Sequence, residues 1–384
     1  MKGRVIVLDQ RNGRAAAALM VDGRIEDLIL GPSNSQGHLV TGDICSARVT
    51  RKLPKVGAFC KLPSGQDGYL RDAKSVREGD TVLVQVVSLP EPGKATTLTT
   101  RLLFKGPRLI LTPGAPGVNV SRQIGNDAER QRLGDCVHAS LSANPALSDK
   151  TQMGVIVRTS ARNEADADLA RELNVLTTRW AERTAPSPQK AGPSESSGAQ
   201  CPDVFREWLF PCPDKILCTS EMAQTLSASD PETGPPAFFG DARFATLLQS
   251  DPDPFETAGI LDALDTIQSA EVRLDGGASM VVEPTRAIVA VDVNTGADFS
   301  PAAGLKANLA TARDLPRQMR LRGLGGQIVV DFAPMPKQHR KTLEEALKKA
   351  FRADPVETSL VGWTSLGLYE LQRKRERYPL SEVL

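Results

Sequence analysis

Residues Ile288–Gly296 (IVAVDVNTG) and Gln327–Phe332 (QIVVDF) decide how this chain folds. Each opens as an unbroken apolar run and ends in an aspartate, the pattern of a strand buried on both faces. Successive side chains in a strand alternate sides, so Asp292 and Asn294 project together. Between the two runs, Leu305, Leu309, Ala312 and Met319 recur broadly along one helical face, and Gly323, Gly325 and Gly326 close the segment. Pro316 lies inside that helix and should kink it. Strand, helix, strand predicts adjacent parallel strands, with Asp292, Asn294 and Asp331 gathered at the carboxyl edge of one sheet.

Two carboxylates and an amide oxygen are hard donors of the kind magnesium prefers. A cation held there would offset phosphate charge and lower the pKa of a bound water. Basic residues are dense nearby in sequence. Arg317, Arg320 and Arg322 close the helix, Arg373, Lys374, Arg375 and Arg377 follow, and together they predict a phosphate-binding surface. A plainer reading stands beside this one. An aspartate that ends a strand often caps a turn, DVNTG is good turn chemistry, and basic helix faces are usually solvated. The pattern alone leaves both open.

Working outward, Asp22–Gly23 between two apolar runs signals a hairpin within residues 1–40. From Gly42 to about Thr100, short strands separated by turns fit a small closed barrel of five or so strands. PRLILTPG, VNVSRQI and GVIVRTS add further strands. A helix then follows, with Asn163 as its N-cap and Leu169, Leu173, Leu176 and Trp180 at helical spacing. Thr184–Gln200 and Ser229–Ala237 are rich in Pro, Ser and Gly and read as breaks. After them come a helix containing AGILDALDTIQSA and a hairpin around Asp275–Gly277.

Composition bounds the class of protein. A chain of 384 residues implies two or three compact units. The net charge of +1 conceals nearly equal acids and bases, so global charge gives no support to a nucleic-acid partner. No apolar run approaches the roughly 20 residues that span a bilayer, so no membrane partner and a cytoplasmic location are expected. The six cysteines include no CxxC pair and the three histidines are widely separated, so a structural zinc site is not expected. Free, mostly buried thiols are.

The chain resembles the ribonuclease E/G family from end to end. AVDVNTG, NLATARDLPRQMRLRGLGGQIVVDF and GLYELQRKR carry the resemblance most strongly, with LTTRLLFKGPRLILTPG, VNVSRQI and GVIVRTS in matching order and spacing. What it implies is a multidomain α+β and α/β fold. Residues 1–40 with 203–272 would form a discontinuous RNase H-like subdomain, 41–100 an inserted S1 (OB-type) barrel, 101–202 a 5′-sensor region and 273–384 a nuclease-like catalytic subdomain. Asp292 and Asp331 would ligate one magnesium ion and Asn294 would orient the first carboxylate. Hydrolysis of an internal phosphodiester of single-stranded RNA would leave 5′-phosphate and 3′-hydroxyl ends, in ribosomal RNA processing or messenger decay. Phe59 and Tyr69 would stack bases, and Lys94 would face the same RNA. Strand aromatics are, however, more often barrel core, and Tyr69, beside Asp67–Gly68, is the better placed of the two. Arg158 and Thr159, supported by Arg122, would form a pocket favouring a 5′-monophosphate. Family members go on to a CPxC-type zinc-sharing element that this sequence does not include, which leaves room for a homodimer but no basis for a zinc-linked one.

Two other functions compete with this reading. One is a catalytically weak or inactive RNA-binding protein that retains the barrel and sensor surfaces. The other is a magnesium-dependent phosphohydrolase of small molecules, against which the aromatic pair argues.

Overall fold

The computed structural model describes residues 2–11, 13–31, 39–91, 93–144, 152–184, 203–227 and 241–384. The breaks expected at Thr184–Gln200 and Ser229–Ala237 fall, Thr184 apart, outside them. The chain divides into two units: Met1–Ile25, Ser33–Val87 and Ala95–Ala258 make the first, and Glu26–Pro32, Ser88–Lys94 and Gly259–Leu384 the second. Among the described residues, the strands form three open sheets and one closed barrel.

In the first unit, Arg4–Arg11 pairs antiparallel with Arg14–Val21 and parallel with the distant Lys215–Cys218. The Asp22–Gly23 turn follows, with positive φ at both residues (49° and 81°), the geometry that makes such a pair a hairpin signal. The barrel closes through Ile44–Leu53, Gly57–Lys61, Asp67–Leu70, Thr96–Thr99 and Thr81–Ser88, as the spacing of short strands predicts. A four-stranded sheet comes next. Two of its strands, β1 (Gly117–Val120) and β2 (Met153–Val157), run parallel side by side. Helices α1 (Asp127–Ala143) and α2 (Asp166–Thr184) cover it with Leu133, Val137, Leu169, Leu173 and Leu176. Asn163 does not cap α2. The helix begins three residues later, and Asn163 takes a left-handed φ of 64° in the preceding turn, a conformation that asparagine tolerates well.

The second unit contains a six-stranded sheet. Its strands are β3 (Glu271–Arg273), β4 (Ser279–Pro284), β5 (Ile288–Asn294), β6 (Gly326–Asp331), β7 (Thr358–Trp363) and β8 (Tyr369–Arg373), in the spatial order β3-β4-β5-β6-β8-β7. As predicted, β5 and β6 are parallel, joined by α3 (Ala303–Leu321), which runs unbroken through the buried Pro316. Val289, Val291, Val293, Ile328 and Val330 pack against Ala307, Ala312, Leu315 and Met319 of α3 and against Leu343, Leu347 and Phe351 of α4 (Arg340–Ala353). Fully burying each of the larger side chains stabilises the unit by about 1.5–3 kcal/mol. The strand is not buried on both faces as its sequence suggested. Val289, Val291 and Val293 are buried, while Ile288 and Ala290 are half-buried and Asp292 and Asn294 exposed. A run of four apolar residues cannot distinguish these cases, because a half-exposed alanine or isoleucine counts as apolar on either face.

Candidate active site

Asp292 and Asp331 are register partners at the carboxyl ends of β5 and β6. Their predecessors, Val291 and Val330, are also partners and both point into the core. The two aspartates therefore share the opposite, solvent-facing side, on backbones about 4.8 Å apart. Asn294 Nδ2 donates a 2.7 Å hydrogen bond to Asp292 Oδ2, which fixes the rotation of that carboxylate. Among the described residues, no Lys, Arg or His pairs with either aspartate. Two adjacent carboxylates with no protein cation between them form a hard oxygen site suited to a divalent ion with water completing its shell.

The edge is held from behind by contacts that the sequence reading did not single out. Asn308, fully buried on α3, donates from Nδ2 to the Ala333 carbonyl (2.9 Å) and accepts from the Ala333 N–H at Oδ1 (2.9 Å). It thereby grips the chain two residues beyond Asp331. One turn earlier, Gly304 approaches so closely that an added Cβ would lie 2.1 Å from the Pro334 carbonyl oxygen. A polar residue at i+4 from a glycine inside an otherwise apolar helix face was the available signal. On the β5 side, Gly296 has a φ of 65°, and a Cβ there would lie 2.1 Å from the Gly277 carbonyl oxygen. The loop after Asn294 is thus seated on the β3–β4 turn. Asp298 in that loop accepts from the Ser300 N–H (2.8 Å) and Lys306 Nζ (3.2 Å). Hydrogen bonds from Ser300 and Lys306 hold its carboxyl at about 2.

The expected basic surface is not there. Arg320 and Arg373 both bind the buried Asp354, the second at 2.9 Å, and Arg377 binds Asp27. Arg317 pairs with Asp314 (3.4 Å), Lys374 with Glu376 (2.8 Å), and Arg322 bonds Gln318 and the Ser269 carbonyl. Arg375 faces Glu91 at 3.9 Å. Gly326, at the start of β6, pairs with Arg373, so this network lies at the opposite end of the strand from Asp331. Seven cations clustered in sequence thus serve as internal fastenings.

Another acidic group, Glu164, Asp168 and Asp241, has carboxylate oxygens within 4.8 Å of one another. It already has its cations: Arg108 contacts Asp241 (2.6 Å) and Glu164 (3.0 Å), and Arg243 contacts the same two at 2.7 and 2.9 Å. An arriving metal would have to displace two guanidinium groups.

The remaining predicted residues form separate groups. On the barrel, Phe59 and Tyr69 are register partners with ring centroids 5.5 Å apart, and Phe59 is 37% exposed. Phe59 is therefore not barrel core, and the two rings offer one outward aromatic surface. Lys94, exposed and paired with Glu91 at 2.5 Å, belongs to the segment Ser88–Lys94 of the second unit. Arg158 and Thr159 follow β2, beside Ser121, Arg122 and Gln123, which follow the parallel β1. Thr159 Oγ1 lies 2.9 Å from Ser121 Oγ and donates to Gln123 Oε1 at 3.2 Å. Arg158 donates to the Gly106 carbonyl (2.9 Å) and faces Glu207 at 3.6 Å, while Arg122 is exposed. Among the described residues, Cys45, Cys60 and Cys218 are buried free thiols, and burial raises Cys45 and Cys218 to about 11. No helix among the described residues is long and apolar enough to cross a membrane.

Residues 104–376 match the model of the ribonuclease E/G family. Ribonuclease G of Escherichia coli strain K12 is 30% identical over 377 residues, spanning 90% of this chain and 75% of that protein. Ribonuclease G of Haemophilus influenzae is 27% identical over 406 residues, with 96% and 78% covered. Ribonuclease E of Nostoc sp. is 28% identical over 414 residues, with 100% of this chain and 57% of that protein covered.

Proposed function

The chain belongs to the ribonuclease E/G family and is an endoribonuclease of that type, and we propose that it hydrolyses single-stranded RNA at a magnesium site held by Asp292 and Asp331. The register pairing of these two exposed carboxylates carries this reading. When bound, the cation would supply charge compensation at the scissile phosphate and a more acidic water. The protein's own part is positional. Asp292 is held by Asn294, and Asp331 by the strand that Asn308 secures, so the donors are set before substrate arrives. Water oxygen bonds to phosphorus, the bond from phosphorus to O3′ breaks, and the proton lost by water is balanced by one gained at O3′. The products carry a 5′-phosphate and a 3′-hydroxyl.

Two RNA surfaces support the same reading. The outward Phe59–Tyr69 pair suits base stacking, worth about 1–3 kcal/mol per base. The Arg158–Thr159 pocket suits a terminal 5′-monophosphate, with a guanidinium beside a cluster of hydroxyls. The division into an RNase H-like part (1–40 with 203–272), S1 barrel (41–100), sensor (101–202) and catalytic part (273–384) is supported by the parallel pairing of Arg4–Arg11 with Lys215–Cys218 and by the closed barrel. A cytoplasmic role in ribosomal RNA processing or messenger decay accords with such a substrate.

The test is cleavage of a 5′-monophosphorylated A/U-rich oligonucleotide with and without magnesium. Internal cuts that require magnesium and fall at least roughly 100-fold in Asp292→Asn are expected. Retention of the RNA uncut by the wild-type chain would overturn the reading and leave an RNA-binding protein. Arg158→Ala should slow 5′-monophosphorylated RNA selectively; equal slowing of 5′-hydroxyl RNA would remove the pocket from the account.

A further inference from the structure

Phe299 is 93% exposed and Leu366 88%, the highest values among the large apolar side chains of the described residues. Both lie at the same end of the catalytic sheet. Phe299 follows β5 by five positions, in the loop that leaves Asn294. Leu366 is in the turn between β7 and β8; because Val330 pairs with Tyr369, that turn is at the Asp331 end of β6. The two exposed apolar side chains therefore belong to the end of the sheet that carries the carboxylate pair.

Phe299 is presented by a fixed backbone. Gly296 is seated on Gly277, Asp298 N–H reaches the Thr295 carbonyl (3.5 Å), and the Asp298 carboxylate accepts from the Ser300 N–H and Lys306 Nζ. A loop pinned this way loses little further entropy when a ligand covers the ring. Lys306, with its side chain 65% exposed, is the cation paired with Asp298 in this loop. An exposed aromatic face on a pinned loop that leaves the carboxylate edge matches the base of one nucleotide of single-stranded RNA.

We propose that Phe299 is a base-stacking subsite that holds the nucleotide adjoining the scissile phosphate, with Leu366 bordering the opposite side of the cut. The proposal rests on the ribonuclease reading of Asp292 and Asp331 and names a specificity element for it. Stacking accepts any base, so the subsite enforces single-strandedness and position without dictating sequence.

The test compares wild type, Phe299→Ala and Phe299→Trp on an oligonucleotide with one defined cut, and on the same oligonucleotide lacking the base next to that cut. Phe299→Ala should raise KM about 10-fold with kcat changed less than about twofold, and Phe299→Trp should restore KM. Removing the base should raise the wild-type KM equally and add nothing further in Phe299→Ala, as expected when both changes delete one contact. Independent, multiplying effects would overturn the proposal, as would an unchanged KM. So would light scattering that shows Phe299→Ala dissociating a dimer while KM holds. Binding of a 2-aminopurine-labelled RNA to the Asp292→Asn protein separates this from the ribonuclease reading. Stacking-dependent quenching lost in the additional Phe299→Ala change supports the subsite whether or not the carboxylates cut.

Discussion

At the scale of single residues, two asparagines hold the aspartate edge in different ways. Asn294 touches a carboxylate directly, so Asn294→Ala frees Asp292 to rotate. We expect kcat to fall about 10–100-fold and the magnesium concentration for half-activity to rise, with thermal stability nearly unchanged because the residue is exposed. A magnesium titration of initial rates checks this. Asn308 acts through the backbone beyond Asp331. Asn308→Leu leaves the Ala333 N–H and carbonyl without these partners in a buried place, at a cost of about 2–4 kcal/mol. Urea unfolding measures that loss, and an unchanged midpoint would show that the clamp carries no energy. That Asp292, Asn294 and Asp331 meet at one sheet edge was legible in the sequence, because an aspartate at the end of an apolar run breaks the pattern of its own strand. Asn308 was not, because the need it meets exists only once β6 has turned past Asp331 and presents two backbone groups to the helix.

At the scale of elements, the same sequence signals worked well for topology and poorly for burial. The parallel β5–α3–β6 unit, the Asp22–Gly23 hairpin and the five-stranded barrel all follow from local pattern, since turn chemistry and periodicity are local properties. The arginines at the end of α3 and after β8 read as a phosphate surface and proved to be ion-paired internally. Two of the partners, Asp27 and Asp354, are distant in sequence, and spacing carries no record of them. Close approach between elements gives a sharp test. Gly304→Ala places a methyl group 2.1 Å from the Pro334 carbonyl, so α3 must move off the segment that follows β6. The expected outcome is a lower melting temperature together with weaker magnesium activation. A variant that melts lower yet keeps its magnesium response would show that the helix and the site are mechanically independent.

At the scale of the whole molecule, charge placement governs how each unit responds to conditions. In the first unit, burial raises Asp241, but hydrogen bonds from Arg243 and Arg108 outweigh it and hold the carboxyl at about 2. An unfolded aspartate titrates near 3.9, so the folded value is depressed. Its stabilising contribution is therefore complete above about pH 4 and is lost as the pH falls toward about 2. Near-UV circular dichroism of the wild type and Asp241→Asn across that window checks this, the variant being expected to show a shallower acid transition. In the second unit, Asp354→Ala removes the carboxylate shared by Arg320 and Arg373, leaving Arg320 with Asp27 and the Glu26 carbonyl and Arg373 with Thr358. It should cost about 3–5 kcal/mol by urea denaturation.

The side-by-side aspartates of β5 and β6 have a consequence for stability as well as for chemistry. Like charges directly opposite on neighbouring strands disfavour the pairing that aligns them. A divalent ion would relieve that repulsion, and its affinity would then be felt as heat resistance. Differential scanning calorimetry should show the melting point climbing with added magnesium. Asp331→Asn should melt higher than the wild type in chelator and gain less from the metal. The protein would in that sense trade rigidity for an appetite for a divalent cation.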